Sequence, residues 1–305
     1  MSSSDATAIL FPGQGAQSVG MVGEWCSNNS IAMGLFQKAS EILGYDLFEI
    51  CRAGPSEKLN TTAVSQPGIL VTSLAALELL RDRDPIPLES ATITAGLSLG
   101  EYTALVFANV LSFEDAVRLV HIRGCAVQGG AEQSPGGMVA ILGLEREKVE
   151  EVCEKARQQD ELRVANALCP GNIVVSGSDE ACSRVTSEAA AAGAMKTVRL
   201  DVAGAFHTVL MKPAVEKLRV ALSEVSMQSP RIPVVSNVDA RPHTNPEEIR
   251  DLLAEQVCGV VEWNASMEYM LSTQVQSVWE VGPGRVLRGL LKRIDRRKAC
   301  RGVFD

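Results

Sequence analysis

Gly96-Leu97-Ser98-Leu99-Gly100 sets a serine between two glycines, after the β-branched run Ala91–Ala95 and before a helical pattern over Glu101–Asn109. At a strand-to-helix junction, G-x-S-x-G lifts a hydroxyl clear of the sheet on a strained turn. The following helix aims its first N–H groups at any developing oxyanion, which makes the Leu99 N–H one donor. A serine hydroxyl needs a base to become nucleophilic, and the chain holds three histidines. His121 falls inside a helical pattern and reads as a packing or surface residue. His243 follows Arg241-Pro242 in a polar turn and reads as exposed. His207 follows Gly204-Ala205-Phe206 at a loop-to-helix transition and is the preferred base, by elimination as much as by context. No carboxylate stands clearly as a third member, which points to a dyad whose imidazole is oriented by an amide or a backbone carbonyl. Gly13-Gln14-Gly15 has Ser18 where a dinucleotide fingerprint needs its third glycine. The better use of that loop is a Gln14 N–H completing an oxyanion hole beside Ser98.

These groups need elements to hold them. Ala6–Phe11 reads as a buried first strand ending at Pro12-Gly13, and Ala91–Ala95 as a second. Helical patterns cover Ile31–Leu43, Val64–Arg81 and a segment from the capping box at Ser112 through Gln128. Gln133-Ser134-Pro135-Gly136-Gly137 reads as a linker. Beyond it the order is strand Met138–Leu142, helix Arg146–Gln158, strands Leu162–Ala167 and Ile173–Ser176, helix Asp179–Ala192 and strand Met195–Leu200. This β-α-β-β-α-β order is that of a ferredoxin-like α+β subdomain. It divides the chain into a large domain of 1–133 and 201–305 and a small one of 134–200. Larger elements then resume: helix Thr208–Val225, strand Ile232–Val235, helices Glu247–Gln256 and Trp263–Leu271, strand Val275–Trp279 and a final helix from Arg285.

The chain has 305 residues, 46% of them hydrophobic and 22% charged, with a net charge of −8, so a disordered or collagenous chain is excluded. The acidic balance and 4% aromatic content argue against nucleic-acid binding. Eight dispersed cysteines with no C-x-x-C predict no metal site and a reducing compartment. Met1–Leu10 carries no basic leader pattern, and the apolar stretch Ala104–Leu111 is too short to span a membrane.

Several segments together resemble malonyl-CoA:acyl-carrier-protein transacylases: Phe11-Pro12-Gly13-Gln14-Gly15-Ala16-Gln17, Gln66-Pro67, 96–104, Arg123-Gly124, Gly204-Ala205-Phe206-His207, 233–238 and Val281-Gly282-Pro283-Gly284. They run in family order from residue 8 to about 295. The resemblance implies a hydrolase-like α/β core with a short parallel sheet, carrying the ferredoxin-like insert. It implies a free-standing acyltransferase that passes malonyl from malonyl-CoA to the thiol of an acyl carrier protein, for fatty acid synthesis, through a malonyl-Ser98 intermediate. His207 would act as base and then acid, and the N–H groups of Gln14 and Leu99 would form the oxyanion hole. Arg123 would bind the malonyl carboxylate, Gln256 would line the site and help orient the dyad, Phe206 would favour malonyl over branched acyl groups, and Asn166 would sit near the cleft. No cofactor, metal, nucleic acid or membrane is implied. The protein would act as a monomer in a plastid stroma or a bacterial-type cytoplasm. Leu97 departs from the family's usual His and Leu168 from a common Asn. Leu97 and the segment Leu168–Asn172 look plastid-type.

A serine esterase or thioesterase shares the elbow but expects a carboxylate between the serine and a late histidine, and an H-G-G-G-like loop; neither is evident. A scaffold that only binds carriers would not need Ser98, His207, Arg123 and Gln256 together. Carriers are acidic, and residues 285–301 hold eight basic residues and one acid. That stretch is either a docking face or a solvated helix end.

Overall fold

The computed structural model describes residues 6–202 and 204–304. Residues 1–5, 203 and 305, including the first half of the segment read as leaderless, lie outside the described residues.

The strands, in chain order, are β1 (Thr7–Phe11), β2 (Ala91–Gly96), β3 (Gly136–Leu142), β4 (Leu162–Cys169), β5 (Asn172–Ser178), β6 (Lys196–Arg199), β7 (Val234–Val235), β8 (Pro242–His243), β9 (Ser277–Glu280) and β10 (Cys300–Gly302). They form a six-stranded sheet of order β10-β9-β1-β2-β7-β8 and a four-stranded sheet of order β4-β5-β3-β6. In the larger sheet every neighbouring pair is parallel except β7 with β8. The smaller sheet is antiparallel throughout. The protein is therefore an α/β protein with a mainly parallel sheet and a separate antiparallel one.

β1 has all five residues buried and sits centrally, which suits its unbroken apolar run. Parallel strands leave their C-terminal ends on one edge, so the loops after β1, β2, β7 and β9 all open there. The smaller sheet alternates. Val139, Ile141, Val164 and Val175 pack under its two helices, while Met138, Ala140, Ala165 and Val174 form a second cluster with Phe206 on the other face. A bridge between Asn166 and Val261 ties this sheet to the larger body, with Val261 donating to the Ala165 carbonyl at 2.8 Å.

The helix Thr62–Arg83 is long and apolar enough to cross a membrane by length and composition, but 89% of its apolar window is buried inside the protein. It is a core helix. Pro67 lies within it and has no N–H to offer the Ala63 carbonyl four residues back. His121 Nδ1 meets that carbonyl at 3.3 Å, so His121 donates there and is a packing histidine.

Several boundaries differ from the sequence expectation. The helix opened by Ser112 runs Phe113–Gln133, and Gly136-Gly137 already belong to β3. The five-residue linker is thus two residues, because Gly129 and Gly130 continue a helix held from both sides by packing. The segment expected as one helix from Thr208 is a 3₁₀ turn, Val209–Met211, followed by the helix Lys212–Glu224 with Pro213 in its first turn. The final helix stops at Ile294, and β10 follows. His243 is half-buried on β8, not exposed, because Asp239 and Glu248 both bond it.

Candidate active site

The elbow is built by backbone crowding. Leu97 N–H donates to the Phe11 carbonyl at 3.0 Å, which locks the loop after β2 against the loop after β1. Ser98 takes φ +49°, a left-handed conformation that costs a non-glycine residue about 1–3 kcal/mol. Gly100 is required by close approach: a Cβ there would stand 2.2 Å from the Phe11 carbonyl oxygen. Gly100→Ala is therefore expected to destabilise the fold by about 1–3 kcal/mol or more. An unchanged melting temperature for that variant would contradict this packing.

Asn237, just past β7, bridges the two peptides that flank Leu97, immediately before the strained residue. Its Oδ1 accepts from Ser98 N–H at 2.5 Å and its Nδ2 donates to the Gly96 carbonyl at 2.8 Å. Ser98 Oγ lies 3.2 Å from His207 Nε2. His207 Nδ1 lies 2.8 Å from the Gln256 carbonyl, which can only accept, so Nδ1 carries the ring proton and Nε2 is free to accept from Oγ. Burial, with Arg123 next in weight, pushes the imidazole down to about 4. At neutral pH the ring is a neutral base.

Arg123 comes from the helix Phe113–Gln133. Gly124 beside it lets that helix approach Thr62–Arg83, since a Cβ at Gly124 would meet the Thr62 carbonyl oxygen at 2.6 Å. The guanidinium is 5% exposed and donates to Gln66 Oε1 (2.9 Å), Gln256 Oε1 (3.0 Å) and Ser98 Oγ (3.1 Å). Among the described residues no carboxylate lies within 4.0 Å of it. A buried cation paired to neutral acceptors alone is set up to receive an anion.

These groups face a cavity of about 430 Å³. Ser98, Arg123, His207, Gln14, Asn166 and Phe206 all lie on its wall. Leu97 and Leu168 also line it and share one apolar cluster, so the two family departures fall on the same wall. The N–H groups of Gln14 and Leu99 have no acceptor among the described residues. Gln256 is the exception to the expected placement. It lies behind the cavity, fully buried, because its side-chain amide is consumed by Arg123, the Ser98 carbonyl at 3.1 Å and Glu101 at 2.6 Å. No role for Gln66, Asn237 or Glu101 was legible in the chain. All three stand inside the resembling motifs, but their contacts join residues 57, 139 and 155 positions apart.

An α/β fold with a serine–imidazole pair at the sheet's C-terminal edge and a buried guanidinium beside it defines an acyltransferase, and the acyl transferase domain family matches residues 9–293. The malonyl CoA-acyl carrier protein transacylase of Escherichia coli (strain K12) is 41% identical over 94% of this chain and 92% of its own length. An acyl carrier protein S-malonyltransferase crystal structure from Vibrio cholerae superposes with a TM-score of 0.92 at 38% identity, covering 97% of this chain and 96% of that one. A malonyl-transacylase solved in complex with its type II polyketide acyl-carrier protein gives 0.92 at 36% identity, over 97% and 94%. The chain belongs to the malonyl CoA-acyl carrier protein transacylase family.

Proposed function

We propose that the protein transfers malonyl from malonyl-CoA to the phosphopantetheine thiol of an acyl carrier protein, supplying fatty acid synthesis. The observation that carries this is the buried Arg123 guanidinium, with no carboxylate within 4.0 Å among the described residues, 3.1 Å from the hydroxyl of a serine held against a neutral histidine.

His207 Nε2 takes the Oγ proton as Oγ attacks the thioester carbonyl. The unengaged N–H groups of Gln14 and Leu99 receive the oxyanion, each such donor being worth about 10²–10³-fold. The carbon–sulfur bond breaks, and CoA leaves with the proton returned from His207. A carrier thiol then attacks malonyl-Ser98 by the same steps in reverse. Arg123 pairs with the free malonyl carboxylate, Gln256 orients the imidazole through its carbonyl, Phe206 bounds the acyl end and Asn166 contacts substrate from the smaller sheet. The balance closes without a metal or cofactor.

The strand order β4-β5-β3-β6 supports a ferredoxin-like subdomain over 134–200. The central parallel sheet with its elbow supports a hydrolase-like domain over 1–133 and 201–305. The eight cysteines form no disulfide, which suits a reducing compartment, a plastid stroma or a bacterial-type cytoplasm, with the protein acting as a monomer.

Intact mass after mixing with malonyl-CoA tests the reading. One malonyl adduct that persists and then moves to a carrier thiol is expected; rapid release as free malonate would place the protein among the thioesterases. Carrier docking has its own test. Arg293 is tied to the carbonyls of Pro170 and Gly171, whereas Arg296 and Arg297 are exposed, Arg297 at 93%. Reversing charge at both Arg296 and Arg297 is expected to raise KM for the carrier roughly three- to tenfold, with a smaller effect on malonyl-CoA. Equal losses for both substrates would remove this face from carrier recognition.

A further inference from the structure

Glu101 follows Gly100 on the helix that carries the elbow and is 2% exposed. Among the described residues no basic side chain lies within 4.0 Å of it. Its Oε2 accepts from Gln256 Nε2 at 2.6 Å and from the Asn237 backbone N–H at 3.2 Å. Those two residues in turn hold Ser98, His207 and Arg123. Asn237 grips Ser98 N–H and the Gly96 carbonyl. Gln256 grips the Ser98 carbonyl, Arg123 and, through its own carbonyl, His207.

We propose that Glu101 is a positioning residue, whose buried carboxylate fixes the orientation of Gln256 and Asn237 and thereby the attack geometry of Ser98 and His207. The reason lies in donor and acceptor chemistry. A side-chain amide can rotate by half a turn and exchange its oxygen for its NH₂. Were Gln256 to do so, its NH₂ would face the Arg123 guanidinium and its oxygen would face the Ser98 carbonyl, two donor–donor and acceptor–acceptor contacts. An ionised carboxylate accepts only, so it holds the NH₂ end toward itself and excludes the flipped state. A neutral group of the same shape can also donate, so it adds no such penalty and leaves the choice to Arg123 and the Ser98 carbonyl alone.

The charge of Glu101 is close to balance. Burial pushes its carboxyl up to about 7, opposed by the bonds from Gln256 and Asn237 and by the Arg123 charge. The ionisable groups facing it are Arg123 from the helix Phe113–Gln133, Asp239 beyond β7, and Tyr102 on its own helix, with His207 beyond Gln256. A carboxyl raised in this way is ionised above its pKa and neutral below it, so orientation control is present at alkaline pH and is lost as pH falls.

This inference rests on the transfer reading for its biological meaning, and its test uses a probe that does not. A fluorophosphonate modifies an activated serine by forming an Oγ–P bond and expelling fluoride, the hydroxyl proton passing to His207. Glu101→Gln is expected to slow phosphonylation of Ser98 roughly 10- to 100-fold at about pH 8, two charge-assisted bonds becoming neutral ones. The ratio to wild type should shrink several-fold by about pH 6, where wild-type Glu101 is itself mostly neutral. Equal rates at the higher pH, or a ratio independent of pH as a purely structural role would give, overturns the proposal. Should Glu101→Gln fail to fold, Glu101→Asp decides: the carboxylate, one methylene shorter, is withdrawn from Gln256, so phosphonylation slowed several-fold supports the proposal and an unchanged rate overturns it. A wild type that is phosphonylated as expected but never malonylated would sink the transfer reading and leave the role of Glu101 standing.

Discussion

Ser98→Ala is expected to eliminate the covalent malonyl adduct and to lower transfer by roughly 10⁴- to 10⁶-fold. The size follows from the cavity itself. Among the described residues that line it, Ser98 carries the sole hydroxyl or thiol, so no neighbouring hydroxyl or thiol can take over. Neither Gln14 nor Leu99 acts through a side chain in the proposed mechanism, so the oxyanion donors should survive the substitution and leave a small residual rate. The fold should survive too, since alanine removes only Oγ and the bonds of the Ser98 backbone to Asn237 and Gln256 remain. Intact-mass measurement with malonyl-CoA reads the adduct directly. Near-normal turnover in the variant would show that the hydroxyl is not on the reaction path.

Arg123→Ala carries the second large effect. The guanidinium is buried at the cavity wall, and a charged hydrogen bond there contributes about 1.5–3 kcal/mol, or roughly 10- to 150-fold in kcat/KM for malonyl-CoA. Acetyl-CoA has no terminal carboxylate to lose, so its use should fall far less or rise. Arg123→Lys is expected to restore only part of the preference. One ammonium cannot reproduce the planar fork that spans Gln66 and Gln256 and still face the substrate. Competition between malonyl-CoA and acetyl-CoA measures the effect. A wild type that uses both equally well would remove Arg123 from substrate choice.

How much of this was legible beforehand varies by residue. Ser98 announced itself because an elbow is a local object: glycines, a strand and a helix within about ten residues impose the strained turn. The βαββαβ order of 134–200 was legible for the same reason, each element carrying its own period. His207 was reached by elimination among three histidines as much as by its loop-to-helix context, and Gln256, expected to line the site and help orient the dyad, contacts the imidazole from behind the cavity wall. Glu101, Asn237 and Gln66 stood inside the resembling motifs but had no sign of a role, because a buried hydrogen-bond network leaves no periodicity in the chain. The short strands β8 and β10 were missed because two or three residues pair only where a neighbouring strand already waits.

The amino-acid sequence by itself determined the alternation of elements, the elbow and the supply of one base and one candidate cation. Those are consequences of torsional preference, burial period and residue chemistry, which act over short stretches of chain. Only the tertiary structure decided which N–H groups stay unengaged, which imidazole nitrogen carries the proton, and that among the described residues Arg123 has no carboxylate within 4.0 Å. Each depends on contacts between residues scores of positions apart, whose distance is set by the packing of two sheets and the helices around them.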